Sequence, residues 1–169
     1  MIKSNILEDN FEFVITGPPR SGSAFISTFL SFGNESCCWH EPFASNKEFH
    51  SNENTTLTGA ACSSFGVATL DYFESYDRPK LFLSRDLDEC FSSWNSQYTP
   101  LVDQFHLEFF RRSYSIASSS CEHSFDITKD MSIQSLKRVW EHLMPSIKFS
   151  ERWANHCILM QIKLKSLKY

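Results

Sequence analysis

Phe11-Glu12-Phe13-Val14-Ile15-Thr16-Gly17-Pro18-Pro19-Arg20-Ser21-Gly22-Ser23 decides the fold. Its first half is a β-prone run that stops at Gly17-Pro18-Pro19, because proline lacks the N–H that a strand or helix interior needs. Beyond the turn, Phe25, Ile26, Phe29, Leu30 and Phe32 recur at helical spacing, and Gly33-Asn34 supplies a stop. The unit is strand, tight loop, helix. Within the loop the glycines and serines let the chain turn sharply. The free amides of Ser21, Gly22, Ser23 and Ala24 then sit at a helix N-terminus, where an anion is favoured. The spacing is that of a nucleotide-binding G-x-x-x-x-G-K-[ST] loop, with Ser23 in the lysine slot and Arg20 as the nearest cation. Taken alone, the stretch also reads as a Pro/Gly/Ser turn that only joins strand to helix.

Working outward, Cys37 to Trp39 reads as a second short strand ending in His40-Glu41-Pro42, and Ala44 to Thr58 as a polar loop. Phe65 to Leu70 reads as a strand, Asp71 to Tyr76 as a short helix or turn, and Lys80 to Ser84 as a buried strand. Asp88 to Gln97 and Val102 to Ala117 carry helical patterns, and Ser118 to Ser120 is a serine linker. Ser124 to Ile127 is the last strand. Asp130 or Ser132 caps a helix with the apolar stripe Ile133, Leu136, Val139, Trp140 and Leu143, ended by Pro145. Arg152 to Leu167 suits a closing helix, with Lys163, Lys165 and Lys168 near its end. Strands alternating with helices imply crossover connections, and so an α/β fold: a three-layer α/β/α domain over residues 1–169 with a mainly parallel sheet. Ligands of such sheets bind beyond the C-terminal ends of the strands.

Composition narrows the class. With 16 Phe and 4 Trp among 169 residues, the chain has far more large apolar surface than a disordered or collagen-like sequence. A formal charge of -4 argues against a general nucleic-acid or membrane-surface binder. The six cysteines form no C-x-x-C pair and read as buried reduced thiols. No basic and apolar leader opens the sequence, and no run approaches the ~20 apolar residues of a membrane span. A soluble cytoplasmic protein is expected, with oligomeric state left open.

Two further motifs fall at expected strand ends. Leu81-Phe82-Leu83-Ser84-Arg85-Asp86 places an arginine at a strand tip, followed eight residues later by Ser93 on the next helix. Arg85 and Ser93 are placed to donate hydrogen bonds to a second phosphate. A surface ion pair of Arg85 with Asp86 or Glu89 is the competing reading. In Trp39-His40-Glu41-Pro42, the proline pushes Glu41 out of helical geometry and presents its carboxylate beside the loop, provided the first two strands are neighbours. That is where a general base would sit. A solvated loop acid and a rim histidine are the alternatives.

Together these residues resemble the sulfotransferases that use 3′-phosphoadenosine 5′-phosphosulfate (PAPS). The phosphosulfate loop of that family reads Pro-Arg/Lys-Ser-Gly-Thr/Ser-Thr/Ser-Phe/Trp, and this chain has Pro19-Arg20-Ser21-Gly22-Ser23-Ala24-Phe25. The family's 3′-phosphate motif is a buried strand, Arg-Asp-Pro and a serine eight residues after the arginine, matched by Arg85-Asp86-Leu87 and Ser93. His40-Glu41-Pro42 is similar to the apolar-Glu-Pro segment of carbohydrate sulfotransferases. The likeness covers mainly residues 11–43 and 79–95. Ala24 and Leu87 depart from the pattern, and no Arg-Lys-Gly run is present, leaving Lys148, Arg152 or Arg111-Arg112 as substitute cations.

The resemblance implies a P-loop fold and in-line sulfuryl transfer from PAPS to an acceptor hydroxyl or amine, with no metal. Pro19, Arg20, Ser21, Gly22, Ser23, Ala24, Arg85 and Ser93 would hold the nucleotide, and Glu41, Arg20 and His40 would act in catalysis, Glu41 taking the acceptor proton. Two other classes stay open: a small nucleotide kinase or NTPase with Asp71 or Asp86 on Mg²⁺, and a non-catalytic module with a degenerate phosphate loop.

Overall fold

The structure is a computed structural model and describes residues 11–41, 55–96 and 104–166. In chain order the elements are β1 (Phe13–Thr16), α1 (Ser23–Phe29), β2 (Ser36–His40), β3 (Leu57–Ala61), a 3₁₀ turn at Ser63–Gly66, α2 (Leu70–Ser75) and β4 (Lys80–Leu83). They continue with α3 (Leu87–Asn95), α4 (Gln104–Ser119), β5 (His123–Phe125), α5 (Ile133–Leu143) and α6 (Glu151–Ser166). The five strands form one sheet in the order β2-β3-β1-β4-β5, and every pairing is parallel. Parallel neighbours cannot be joined by a hairpin, so the connections cross over and place helices on the faces.

Side-chain alternation along the strands divides the core in two. Phe13 and Ile15 of β1, Leu81 and Leu83 of β4 and Phe125 of β5 point to one face, where they meet Phe29 of α1, Trp140 of α5 and Cys157 of α6. Val14, Ala60 and Phe82 point to the other and meet Phe65, Phe73 of α2 and Tyr114 of α4. Trp140 anchors the first cluster. Its ring meets Phe29, Phe32 and Phe149 edge-on with centroids 5.4, 5.5 and 5.8 Å away, and its Nε1–H donates to the Ile147 carbonyl at 2.8 Å. No helix among the described residues is long and apolar enough to cross a membrane.

Three expectations from the sequence are corrected. Residues 57–61, within and just after a stretch read as loop, form β3, whereas residues 65–70, read as a strand, belong to the 3₁₀ turn and the approach to α2. The cause is steric. β3 lies beside β1, and a Cβ on Gly59 would overlap the Phe13 ring, so this central strand is built from small residues with a faint apolar signal. Phe65 and Val67 are apolar because the turn plugs the second core cluster; the Phe65 ring lies 6.4 Å from that of Phe73 and 5.9 Å from that of Tyr72. The serine linker is also different: α4 runs through Ser118 and Ser119, with Ser119 Oγ donating to the Ser115 carbonyl at 2.9 Å. The α5 cap is Ser132, whose Oγ accepts the Ser135 N–H at 3.2 Å.

Gly59→Ala should cost about 1–3 kcal/mol through overpacking against Phe13, read as a lowered urea midpoint at unchanged slope. An unshifted midpoint would mean that β3 does not lie under that ring.

Candidate functional site

β1 and β4 are adjacent and parallel, with Thr16 opposite Phe82, so both chains leave the sheet at the same end. The loop after β1 presses on β4 closely. A Cβ on Gly17 would stand 2.5 Å from the Leu83 carbonyl oxygen, so only glycine fits. The turn is closed by Ser21 N–H donating to the Pro18 carbonyl at 3.1 Å. Arg20 (φ 70°) and Gly22 (φ 107°) then take positive φ, and a Cβ on Gly22 would lie 2.8 Å from Ile127 Cδ1. The first helical bond runs from Ile26 N–H to the Gly22 carbonyl at 3.0 Å, so the amides of Ser23, Ala24 and Phe25 have no acceptor inside α1. Ser21 Oγ is buried within the loop and has no hydrogen-bond partner among the described residues.

Three of the expected site residues meet here. Arg85, two residues beyond β4, donates from Nη1 to the Arg20 carbonyl at 2.7 Å, and Arg20 Nε donates to Ser93 Oγ of α3 at 3.3 Å. The loop, the tip of β4 and α3 are thereby fastened together. Arg85 Nε also stands 3.5 Å from Glu89 Oε2. An open groove of about 500 Å³ runs beside this clasp, lined by Arg85, Ser93 and the acids Asp86, Asp88 and Glu89. Asp86 caps α3 by accepting the Glu89 N–H at 2.9 Å, and Asp88 pairs with Arg111. Of the substitute cations, Arg111 is thus engaged, while Lys148 and Arg152 are exposed. Pro19 is half-buried in the loop and Ala24 exposed on α1.

The placement of Glu41 beside the loop is overturned. β3 lies between β1 and β2, so the tip of β2 is not next to the tip of β1. Glu41 adopts φ 47° and turns its carboxylate to the end of β3: Oε1 accepts the Ser63 N–H at 3.1 Å and Oε2 accepts the Cys62 thiol at 3.2 Å. Its own N–H donates to the Ala61 carbonyl at 2.8 Å. His40 is the residue that reaches the loop, with Nε2 3.0 Å from Ser23 Oγ. Pro42 lies outside the described residues.

Several supporting residues carry no recognisable sequence signal. Ile127 underlies Gly22, and the turn that holds it is built on Asp126, which is buried. Asp126 Oδ1 accepts the Thr128 N–H at 2.8 Å and Oδ2 lies 3.2 Å from Lys129 Nζ. Burial opposes ionisation of Asp126, but the Thr128 hydrogen bonds and Lys129 outweigh it and hold the carboxyl below the ordinary carboxylate range. On the other side, Thr16 Oγ1 donates to the Cys62 carbonyl at 3.0 Å and accepts the Gly66 N–H at 2.9 Å, fixing the turn that receives Glu41. None of the six cysteines, all among the described residues, is in a disulfide, and burial pushes the thiols of Cys90, Cys121 and Cys157 up to about 11, so these three are protonated at neutral pH. Among the described residues no group of three His, Cys, Asp or Glu side chains could hold a metal ion.

In comparison with known proteins, no family model and no curated protein matches this chain.

A hydrogen bond from a charged donor contributes about 1.5–3 kcal/mol, so Arg85→Ala should speed hydrogen exchange of the Ser21 amide, which closes the turn onto the Pro18 carbonyl, about tenfold or more. Unchanged exchange there would mean that the loop does not depend on Arg85.

Proposed function

We propose that this chain is a PAPS-dependent sulfotransferase of P-loop type, moving a sulfuryl group to an acceptor hydroxyl or amine. The observation that carries the reading is the meeting of Arg20, Arg85 and Ser93 at one end of the sheet, two of them hydrogen-bonded through Arg20 itself. The residues present fit the donor nucleotide. A buried Ser21 hydroxyl without a partner among the described residues, the first-turn amides of α1 and two guanidinium groups are donors for a phosphosulfate and a second phosphate. The donor supplies an activated sulfuryl group on a phosphate leaving group; everything else falls to the chain.

Arg20 and the amides of Ser23 and Ala24 stabilise charge that grows on the leaving phosphate as its bridging oxygen parts from sulfur. Ser23 Oγ binds the phosphosulfate oxygens. Arg85 and Ser93 hold the 3′-phosphate and so favour PAPS over nucleotides without one. As the acceptor oxygen or nitrogen bonds to sulfur, its proton passes to His40, whose ring is exposed and already at hydrogen-bond distance from Ser23. Glu41 holds the end of β2 through Ser63 and Cys62, and with it the adjacent His40. Six cysteines outside any disulfide suit a reducing compartment, so a cytoplasmic location belongs to the same reading.

The acids beside Arg85 and the missing hydroxyl at Ala24 favour a second reading, a nucleotide-binding module without turnover. Kinase chemistry gains no support from Asp86, whose carboxylate caps α3.

Labelled PAPS offered to a panel of sugar, phenol and amine acceptors tests transfer directly. His40→Ala should lower turnover about 10²–10⁴-fold while affinity for adenosine 3′,5′-bisphosphate stays within about twofold. Glu41→Gln should lose much less. The reverse order would return the role of base to Glu41, and binding without transfer on any acceptor would favour the module.

A further inference from the structure

The groove beside Arg85 is electrically mixed, and its three acids are not equivalent. Asp86 is committed to the α3 cap and Asp88 to Arg111. Glu89 is 64% exposed, its carboxylate facing Arg85 Nε at 3.5 Å. That contact is coulombic only: the Arg85 Nε atom is buried and makes no hydrogen bond among the described residues, while Nη1 is taken by the Arg20 carbonyl. The guanidinium therefore has a buried N–H without a hydrogen-bond acceptor among the described residues, next to a carboxylate that only faces it. A phosphate seated on the accessible part of the Arg85 guanidinium would stand against the Glu89 charge.

We propose that Glu89 is a specificity-determining residue, a built-in competitor that weakens the hold of Arg85 on the 3′-phosphate. The inference rests on the nucleotide reading above and deepens it. A 3′-phosphate is dianionic, so it must push the exposed Glu89 side chain outward or bind in its field. A 5′-phosphate in the loop around Arg20 has the Arg85 guanidinium between it and this carboxylate, and so feels its charge less than a 3′-phosphate seated on Arg85 beside Glu89. Glu89 thus narrows the margin by which the site prefers a 3′,5′-bisphosphate over a 5′-monophosphate, and speeds departure of the bisphosphate product. Two like charges a few ångströms apart at the protein surface, screened by salt, correspond to about a 3- to 10-fold change in affinity.

Titration calorimetry with adenosine 3′,5′-bisphosphate and with AMP, on the wild-type chain and on Glu89→Gln, tests this. The substitution is conservative and at an exposed position, and equal thermal midpoints establish that both proteins are folded. The expected result is bisphosphate binding about 3- to 10-fold tighter in Glu89→Gln, AMP affinity within about twofold of wild type, and a gain that shrinks as salt is raised from about 0.05 to about 0.5 M. Unchanged or weaker bisphosphate binding in the variant overturns the inference, as does an equal gain for AMP, which would mark a general charge effect. In both of those cases the wild-type chain still binds the bisphosphate and the sulfotransferase reading stands. A wild-type chain that binds neither nucleotide overturns that reading, and the role of Glu89 with it.

Discussion

The hydrogen bond from Arg85 to the Arg20 carbonyl is the contact on which the site depends. The loop after β1 contains a non-glycine residue at positive φ, a conformation that costs free energy unless the surroundings hold it. Arg85 provides that hold from one side and Ile127 from the other, where it packs into the space that a side chain on Gly22 would need. The close approach of Gly17 to Leu83 brings the two strand tips near enough for the bond to form. Loop shape, cation placement and strand pairing are therefore one arrangement.

Strand order explains the rest of the site. With β3 between β1 and β2, the end of β2 is carried away from the loop, and α1 closes the distance by presenting Ser23 to His40. Glu41, next in the chain, is turned by its positive φ to the end of β3, where Ser63 and Cys62 donate to it. Adjacent residues thus face different tasks: a ring directed at the loop and a carboxylate that secures the strand behind it. The polar bonds of Thr16 and Tyr114 to the same turn make that anchorage rigid.

The strand-loop-helix unit was legible because its signals are local: prolines that end a strand, glycines that permit the turn, and helical periodicity. The parallel sheet followed from the alternation of elements, and Arg20, Arg85 and Ser93 were singled out from sequence spacing. β3 was not legible, since its residues are chosen for smallness under Phe13 and not for apolar pattern. The exchange of place between His40 and Glu41 was equally hidden, because it depends on which strand is inserted beside β1. Local chemistry names the groups that can act, but their direction is set by contacts remote in sequence, such as Glu41 to Ser63 and Arg20 to Ser93.

In the proposed function, the loop and the β4 tip form one site for a nucleotide carrying phosphates at both ends of its ribose. Thermal unfolding in the presence of equal concentrations of adenosine 3′,5′-bisphosphate, AMP and ATP with Mg²⁺ tests it most directly, since a ligand that binds the native state raises the midpoint in proportion to its affinity. The bisphosphate should give the largest rise and AMP a smaller one. A largest rise with ATP and Mg²⁺, or no rise with any of the three, would contradict it.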